Sequence, residues 1–140
     1  MAATGGGPGP RRIIYIDDDR DFALLVKRAC ERRGHSIVTC AEPQYALKAL
    51  AQDPLACELV ITDYRMPGTD GLEVARTIRT LYPALPVVIM SGLVDDALVK
   101  AAAGVGVRRV LHKPFRAEHL IVLIELAAKE PAHPPEADTP

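Results

Sequence analysis

Four apolar runs in this chain each end in residues suited to phosphate or metal chemistry. Residues 13–16 (IIYI) run into Asp17, Asp18 and Asp19, and residues 59–62 (LVIT) into Asp63. Residues 87–90 (VVIM) run into Ser91, and residues 110–112 (VLH) into Lys113 and Pro114. Short runs of this kind read as buried parallel strands. Ligands of an open α/β sheet bind beyond the carboxyl ends of its strands. One sheet edge would then gather the acids Asp17, Asp18 and Asp63, the Ser91 hydroxyl and the Lys113 ammonium. That set suits a divalent cation and a phosphoryl group.

Each part has a chemical reason to be there. A carboxylate at a strand end, such as Asp63, can attack phosphorus and become an acyl phosphate. It does so poorly alone, because one anion approaches another. Asp17 and Asp18 supply ligands for a cation that relieves the repulsion, which would otherwise raise a carboxyl pKa. Mg²⁺ takes one or two carboxylates, waters and a phosphate oxygen, and the Arg65 backbone carbonyl could complete the set. Lys113 brings positive charge from the far side, and a cis peptide before Pro114 would turn its side chain into the site. Ser91 can donate to a phosphoryl oxygen. Phosphoryl transfer needs chiefly positioning and charge neutralisation, and these parts provide both.

The elements that must hold these residues alternate strand and helix five times. Phe22, Leu25, Val26 and Ala29 mark one face of a first helix, which Gly34 ends. Residues 36–40 form a β-branched strand. Ala46, Leu47, Ala49 and Leu50 mark a second helix, stopped at Asp53-Pro54. Pro67, Gly68 and Gly71 make a tight turn into a third helix with Leu72, Ala75, Ile78 and Arg79, closed at Tyr82-Pro83. A fourth, alanine-rich helix spans about 95–103 and breaks at Gly104-Val105-Gly106. Ala117, Leu120, Ile121 and Ile124 mark a fifth. Such alternation predicts right-handed βαβ units: a doubly wound, five-stranded parallel sheet in the flavodoxin-like order 2-1-3-4-5, with helices on both faces.

Bulk properties narrow the classes. The 140 residues predict one domain. Glycine- and proline-rich residues 1–10 read as a flexible lead-in, 11–128 as the folded domain, and proline-rich 129–140 as a disordered tail. Net charge is −1, which gives no electrostatic reason for nucleic-acid binding. No apolar run nears the roughly 20 residues of a membrane span, and the N-terminal stretch, lacking an apolar h-region, does not read as a secretory signal. Cys30, Cys40 and Cys57 lack CxxC spacing and read as small buried hydrophobes of a reducing cytoplasm.

Taken together, these motifs resemble the receiver domain of bacterial two-component response regulators. The matching positions are Asp17-Asp18 after IIYI, Asp63 in ITDYRMPGTDGLE, Ser91 in VVIMSG and Lys113 in LHKPF. The resemblance spans the whole expected domain. It implies that Asp63 accepts a phosphoryl group from a phosphohistidine on a histidine kinase or histidine phosphotransfer protein. It implies Mg²⁺ held by Asp18, Asp63 and the Arg65 carbonyl, with Asp17 acting largely through water. Ser91 and Lys113 would then report phosphorylation by moving toward the phosphate. The domain would signal rather than turn over a substrate, promoting only its own phosphorylation and dephosphorylation. Two positions depart from the pattern. Val110 stands where receivers often carry Tyr or Phe, and Gly92 after Ser91 leaves the site open.

Other residues have plainer readings. Asp19, Asp21 and Asp70 read as helix caps and first-turn acids. Thr62 and Met66 read as packing residues. His112 reads as a strand-surface residue facing away from Lys113, and His35, His119 and His133 show no metal spacing. Val122, Leu123 and Leu126 lie off the core stripe of the fifth helix. They leave apolar area on the fourth helix–last strand–fifth helix face for a homodimer or partner. The alternative function is a haloacid-dehalogenase-like phosphohydrolase, whose D-x-D signature Asp17 and Asp19 mimic. That class needs a further acidic pair after the lysine, and the acids beyond Lys113 are isolated. The similarity of residues 91–115 to receivers of hybrid sensor kinases leaves two contexts, a stand-alone receiver or part of a larger protein.

Overall fold

The structure, a computed structural model, describes residues 10–127. Its strands are β1 Arg12–Ile16, β2 Ser36–Cys40, β3 Leu59–Asp63, β4 Val87–Ser91 and β5 Arg109–His112. Its helices are α1 Arg20–Arg32, α2 Pro43–Gln52, α3 Gly71–Leu81, α4 Asp96–Gly104 and α5 Ala117–Ala127. A short 3₁₀ turn, Pro54–Ala56, precedes β3. Numbered this way, the sheet is parallel throughout and ordered β2-β1-β3-β4-β5, as the alternation predicted. A separate two-residue antiparallel ladder joins Arg65–Met66 to Thr69–Asp70 in the loop after β3. The expected lead-in and tail lie, but for Pro10, outside the described residues.

Burial explains the continuous apolar runs. Every residue of β3 and β4 is buried, because helices cover both faces of the sheet. Alternate residues feed two cores. Ile14, Ile16, Val60 and Ile89 pack with Ala46, Leu50, Ala75 and Ile78 from α2 and α3. Ile13, Tyr15, Ile61 and Met90 pack with Val26, Cys30, Leu120 and Ile124 from α1 and α5. The edge strand β2 buries only Ile37 and Cys40.

Short polar side chains start three of the helices. Asp19, Asp70 and Asp95 each accept a hydrogen bond from the backbone N–H three residues on: Phe22 at 3.0 Å, Glu73 at 2.9 Å and Leu98 at 2.9 Å. Asp19 and Asp70 are thus caps, and Asp21 lies in the first turn of α1. Pro43 opens α2 without a side-chain cap. Gly34, at φ +86°, ends α1 in the left-handed region that glycine adopts freely.

The expected face of α1 needs correction. Val26 is buried as predicted, but its buried companions are Ala23 and Cys30. Leu25 is 55% exposed, while Phe22 and Ala29 lie at the rim of the core. The helix is turned so that small residues meet the sheet and Phe22 meets Phe115 edge-on, with ring centroids 5.3 Å apart. On α5, Leu120, Ile121 and Ile124 are buried as expected, while Val122 and Leu126 face out. Leu123 is partly buried against the core, so it adds less to the outer face than its spacing suggested. Arg79 is buried on α3 and donates to the carbonyls of Pro83 and, at 3.3 Å, Leu85. Among the described residues, no helix is long and apolar enough to cross a membrane.

Candidate functional site

Register brings the chemistry to one edge. Ile16 pairs with Thr62, Thr62 with Ile89, and Ile89 with Val110, one row across four strands. Asp17 and Asp63 each stand one residue beyond that row. Ser91, paired with His112, is one further on its strand, and Lys113 follows His112. Carboxylate oxygens of Asp17, Asp18 and Asp63 lie within 4.8 Å of one another.

Asp17 is buried while Asp18 is exposed. The Asp17 carboxylate accepts from the Asp19 N–H at Oδ1 and from the Tyr15 hydroxyl at Oδ2, both at 3.0 Å. Burial pushes the Asp17 carboxyl pKa up, and the Asp63 charge adds to this. The Asp19 N–H, Lys113 and the Tyr15 hydroxyl act in the opposite sense. Burial also drives the Tyr15 phenol far up, with the Asp17 charge second, so its hydroxyl remains protonated.

Asp63 ends the central strand β3 and is 8% exposed. Its Oδ1 accepts from the Tyr64 N–H at 3.0 Å and lies 3.0 Å from Lys113 Nζ. The same ammonium is 4.0 Å from Asp17 Oδ2. The loop after Asp63 is tightly built. Gly68, at φ +81° after Pro67, turns the chain, and the Gly71 N–H closes on the Tyr64 carbonyl at 2.7 Å. Thr62, fully buried, donates its hydroxyl to the Asp63 carbonyl at 3.0 Å. Arg65 is two residues beyond Asp63, with its guanidinium 5.7 Å from the Tyr64 ring centroid.

Lys113 is held from both sides. Its N–H donates to the Ser91 carbonyl at 2.8 Å, and the Lys113–Pro114 peptide is cis. Ser91 is buried, but its hydroxyl serves its own loop. It donates to the Leu93 carbonyl at 2.9 Å and accepts from the Leu93 N–H at 3.2 Å. His112 is exposed as expected, and its Nε2 donates to the Gly92 carbonyl at 3.1 Å. Val110 is partly buried against the α2–α3 side of the core. A groove of about 700 Å³ opens beside Asp18, with Arg20, Pro43, Met66, Thr69 and Glu73 in its walls.

The structure thus brings the acids, the serine and the lysine singled out in the sequence to one sheet edge, and it adds Tyr15 as a partner of Asp17 that the sequence reading missed. A signal was present. Residues two apart on a strand share a face, so a tyrosine two positions before Asp17 points to the same side.

The all-oxygen donor set, with one exposed carboxylate and two buried ones, fits a hard divalent cation. Residues 13–125 match the family model described as the response regulator receiver domain. The chain is 35% identical over 109 residues, 78% of its length, to the C4-dicarboxylate transport transcriptional regulatory protein DctD of Rhizobium meliloti. It is 36% identical over 115 residues, 81% of its length, to the response regulator protein FleR of Pseudomonas aeruginosa. These matches cover 23% and 24% of those proteins, so the chain spans about a quarter of the length of these curated relatives. A crystal structure of a response regulator receiver domain protein from Clostridium thermocellum superposes with a TM-score of 0.78. It is 27% identical, and the match covers 85% of this chain and 94% of that one. None of these likenesses supports the phosphohydrolase alternative. The sheet order, the acidic edge and the family match agree: the chain belongs to the response regulator receiver domain family, the phosphoacceptor modules of two-component signalling.

Proposed function

We propose that Asp63 is the phosphoacceptor and that Asp17, Asp18, Asp63 and the Arg65 backbone carbonyl hold Mg²⁺. The observation that carries this reading is the Asp63 carboxylate itself. It sits at the end of the central strand, paired with Lys113 at 3.0 Å and grouped with Asp17 and Asp18. A carboxylate oxygen of Asp63 attacks phosphorus on a phosphohistidine. The P–N bond breaks as the acyl P–O bond forms, and the imidazole leaves. Lys113 offsets the charge that develops on the phosphoryl oxygens. Mg²⁺ when bound supplies the remaining neutralisation between the two anionic groups.

Ser91 reads out the event. Its hydroxyl must leave the Leu93 carbonyl to donate to a phosphoryl oxygen, so phosphorylation loosens the loop between β4 and α4. The donor is a histidine kinase or histidine phosphotransfer protein, and the chain catalyses only its own phosphorylation and dephosphorylation. Exposed Leu93, Val99, Val122 and Leu126 suit the α4–β5–α5 side to a homodimer or partner contact. The proposal includes no nucleic-acid contact by this domain. It places the domain in the cytoplasm, in keeping with three free cysteines.

The test is labelling from a radioactive phosphodonor with Mg²⁺ present. The wild-type chain is expected to take up one acid-stable, base-labile phosphoryl group, and Asp63→Asn none. Undiminished label on Asp63→Asn would overturn the assignment.

A further inference from the structure

Tyr15 is fully buried on the α1–α5 side of the core, yet its hydroxyl reaches the acidic edge. Together with the Asp19 N–H it gives each oxygen of Asp17 its own donor, and two bonds at opposite ends fix the plane of the carboxylate. The oxygen that Tyr15 occupies, Oδ2, is also the one that faces Lys113. The ammonium stands between two carboxylates, 4.0 Å from Asp17 Oδ2 and 3.0 Å from Asp63 Oδ1. Each of those oxygens carries one other donor, the Tyr15 hydroxyl on Asp17 Oδ2 and the Tyr64 N–H on Asp63 Oδ1, so removing the Tyr15 donor alone would tip the ammonium toward Asp17.

We propose that Tyr15 is a positioning residue: its hydroxyl orients Asp17 toward the cation site and, by occupying Oδ2, leaves Lys113 to Asp63. A Phe at this position would keep the ring packing and remove only the donor. Asp17 could then rotate, and its freed Oδ2 would draw Lys113 away from Asp63. The idea rests on reading the acidic cluster as a cation site.

The test uses the full chain with Tyr15→Phe, compared with wild type in three measurements. Mn²⁺ binding, followed by electron paramagnetic resonance, is expected to weaken about three- to tenfold. The Lys113 side-chain Nζ resonance in the metal-free protein is expected to move. Labelling by a small phosphodonor is expected to stay stoichiometric but to slow about tenfold. The Lys113 shift is expected to vanish when Tyr15→Phe is placed in an Asp17→Ala background.

A folded Tyr15→Phe protein with unchanged Mn²⁺ affinity and an unmoved Lys113 signal would overturn the proposal, even if its melting temperature fell. Should Tyr15→Phe fail to fold, the wild-type protein provides the second measurement. A slowly exchanging Tyr15 hydroxyl proton whose resonance shifts on adding Mg²⁺ supports the role, and one that does not respond refutes it. Mn²⁺ affinity and the Lys113 signal do not depend on phosphorylation, so failure of the Asp63 assignment would be seen separately, as label on Asp63→Asn.

Discussion

Gly71 shows how little slack surrounds Asp63. A Cβ at Gly71 would lie 2.6 Å from the Asp63 carbonyl oxygen and 3.0 Å from the Tyr64 Cα. Both neighbours are backbone. The carbonyl is further held by the Thr62 hydroxyl and cannot yield cheaply. Gly71→Ala would gain up to about 1 kcal/mol of helix propensity at the start of α3. The clash outweighs that gain, and the expected result is a net loss of about 1–3 kcal/mol. A urea midpoint unchanged or raised in the variant would show that the loop gives way. Sequence reading placed Gly71 at a helix start but had no view of this approach, because the contact runs to a strand end eight residues back. Asp17, Asp18, Asp63, Ser91 and Lys113 were legible for the opposite reason. Each follows an apolar run, Asp17 and Asp18 the same one, so its place at the sheet edge is a local property. Tyr15 was hidden because an aromatic residue within an apolar run reads as core, and here it is core and partner together. Cys30 and Cys40 are buried as their sequence setting suggested, whereas Cys57 is only partly buried and donates its thiol to the Leu59 carbonyl. Burial pushes Cys30 and Cys57 up to about 11. Alkylation of both by iodoacetamide at pH 8 is expected to run at least tenfold slower in the folded protein than in the urea-unfolded chain, since the thiolate is the nucleophile.

Elements differ in how much of their placement is written locally. β3 and β4 were readable as central strands because helices on both faces demand apolar residues at every position. The rotation of α1 was not readable. Two apolar stripes overlap on that helix, and Phe115, more than ninety residues away, decides which faces inward. The segment from β4 to α4 borders the site through Ser91. It is held at Ser91–Leu93, at His112–Gly92 and by the Asp95 cap. With Val110 in place of an aromatic, readout by a rotating ring has no candidate at that position, and in the proposed switch the change falls to the loop. Asp95→Ala is therefore expected to cost about 1 kcal/mol by removing the cap on α4. Amide hydrogen exchange should quicken in the first turn of α4 and stay unchanged in α1. Uniform quickening in both helices would mean that Asp95 supports the whole fold rather than this one junction.

At the scale of the molecule, the two ends of the sheet are held by different means. At the amino end, Glu125 of α5 accepts from Arg33 at 2.9 Å and from buried His35 Nε2 at 2.8 Å. His35 Nδ1 accepts from the Arg11 N–H at 2.9 Å, so the residue preceding β1, the turn before β2 and α5 are joined there. At the carboxyl end, by contrast, three acids crowd together with two of them, Asp17 and Asp63, buried. Between the ordinary carboxyl pKa of 3.8 and the raised value of Asp17, the folded state holds the proton more tightly than the unfolded chain does. Stability from this group therefore falls as pH rises through that window and stays reduced above it. Without divalent cations, Asp17→Asn is expected to match wild type below pH 3.8, to exceed it increasingly through that window and to keep the advantage above it. A cation that binds only the folded state reverses the balance, adding about 2.7 kcal/mol at a hundredfold excess over its Kd. Mg²⁺ should accordingly raise the melting temperature of the wild type in a concentration-dependent way, and barely move that of Asp17→Asn or Asp63→Asn. A variant that is less stable than wild type in metal-free buffer at pH 7, or that gains equally from Mg²⁺, would show that the acidic edge is not the strained and cation-relieved end of the fold.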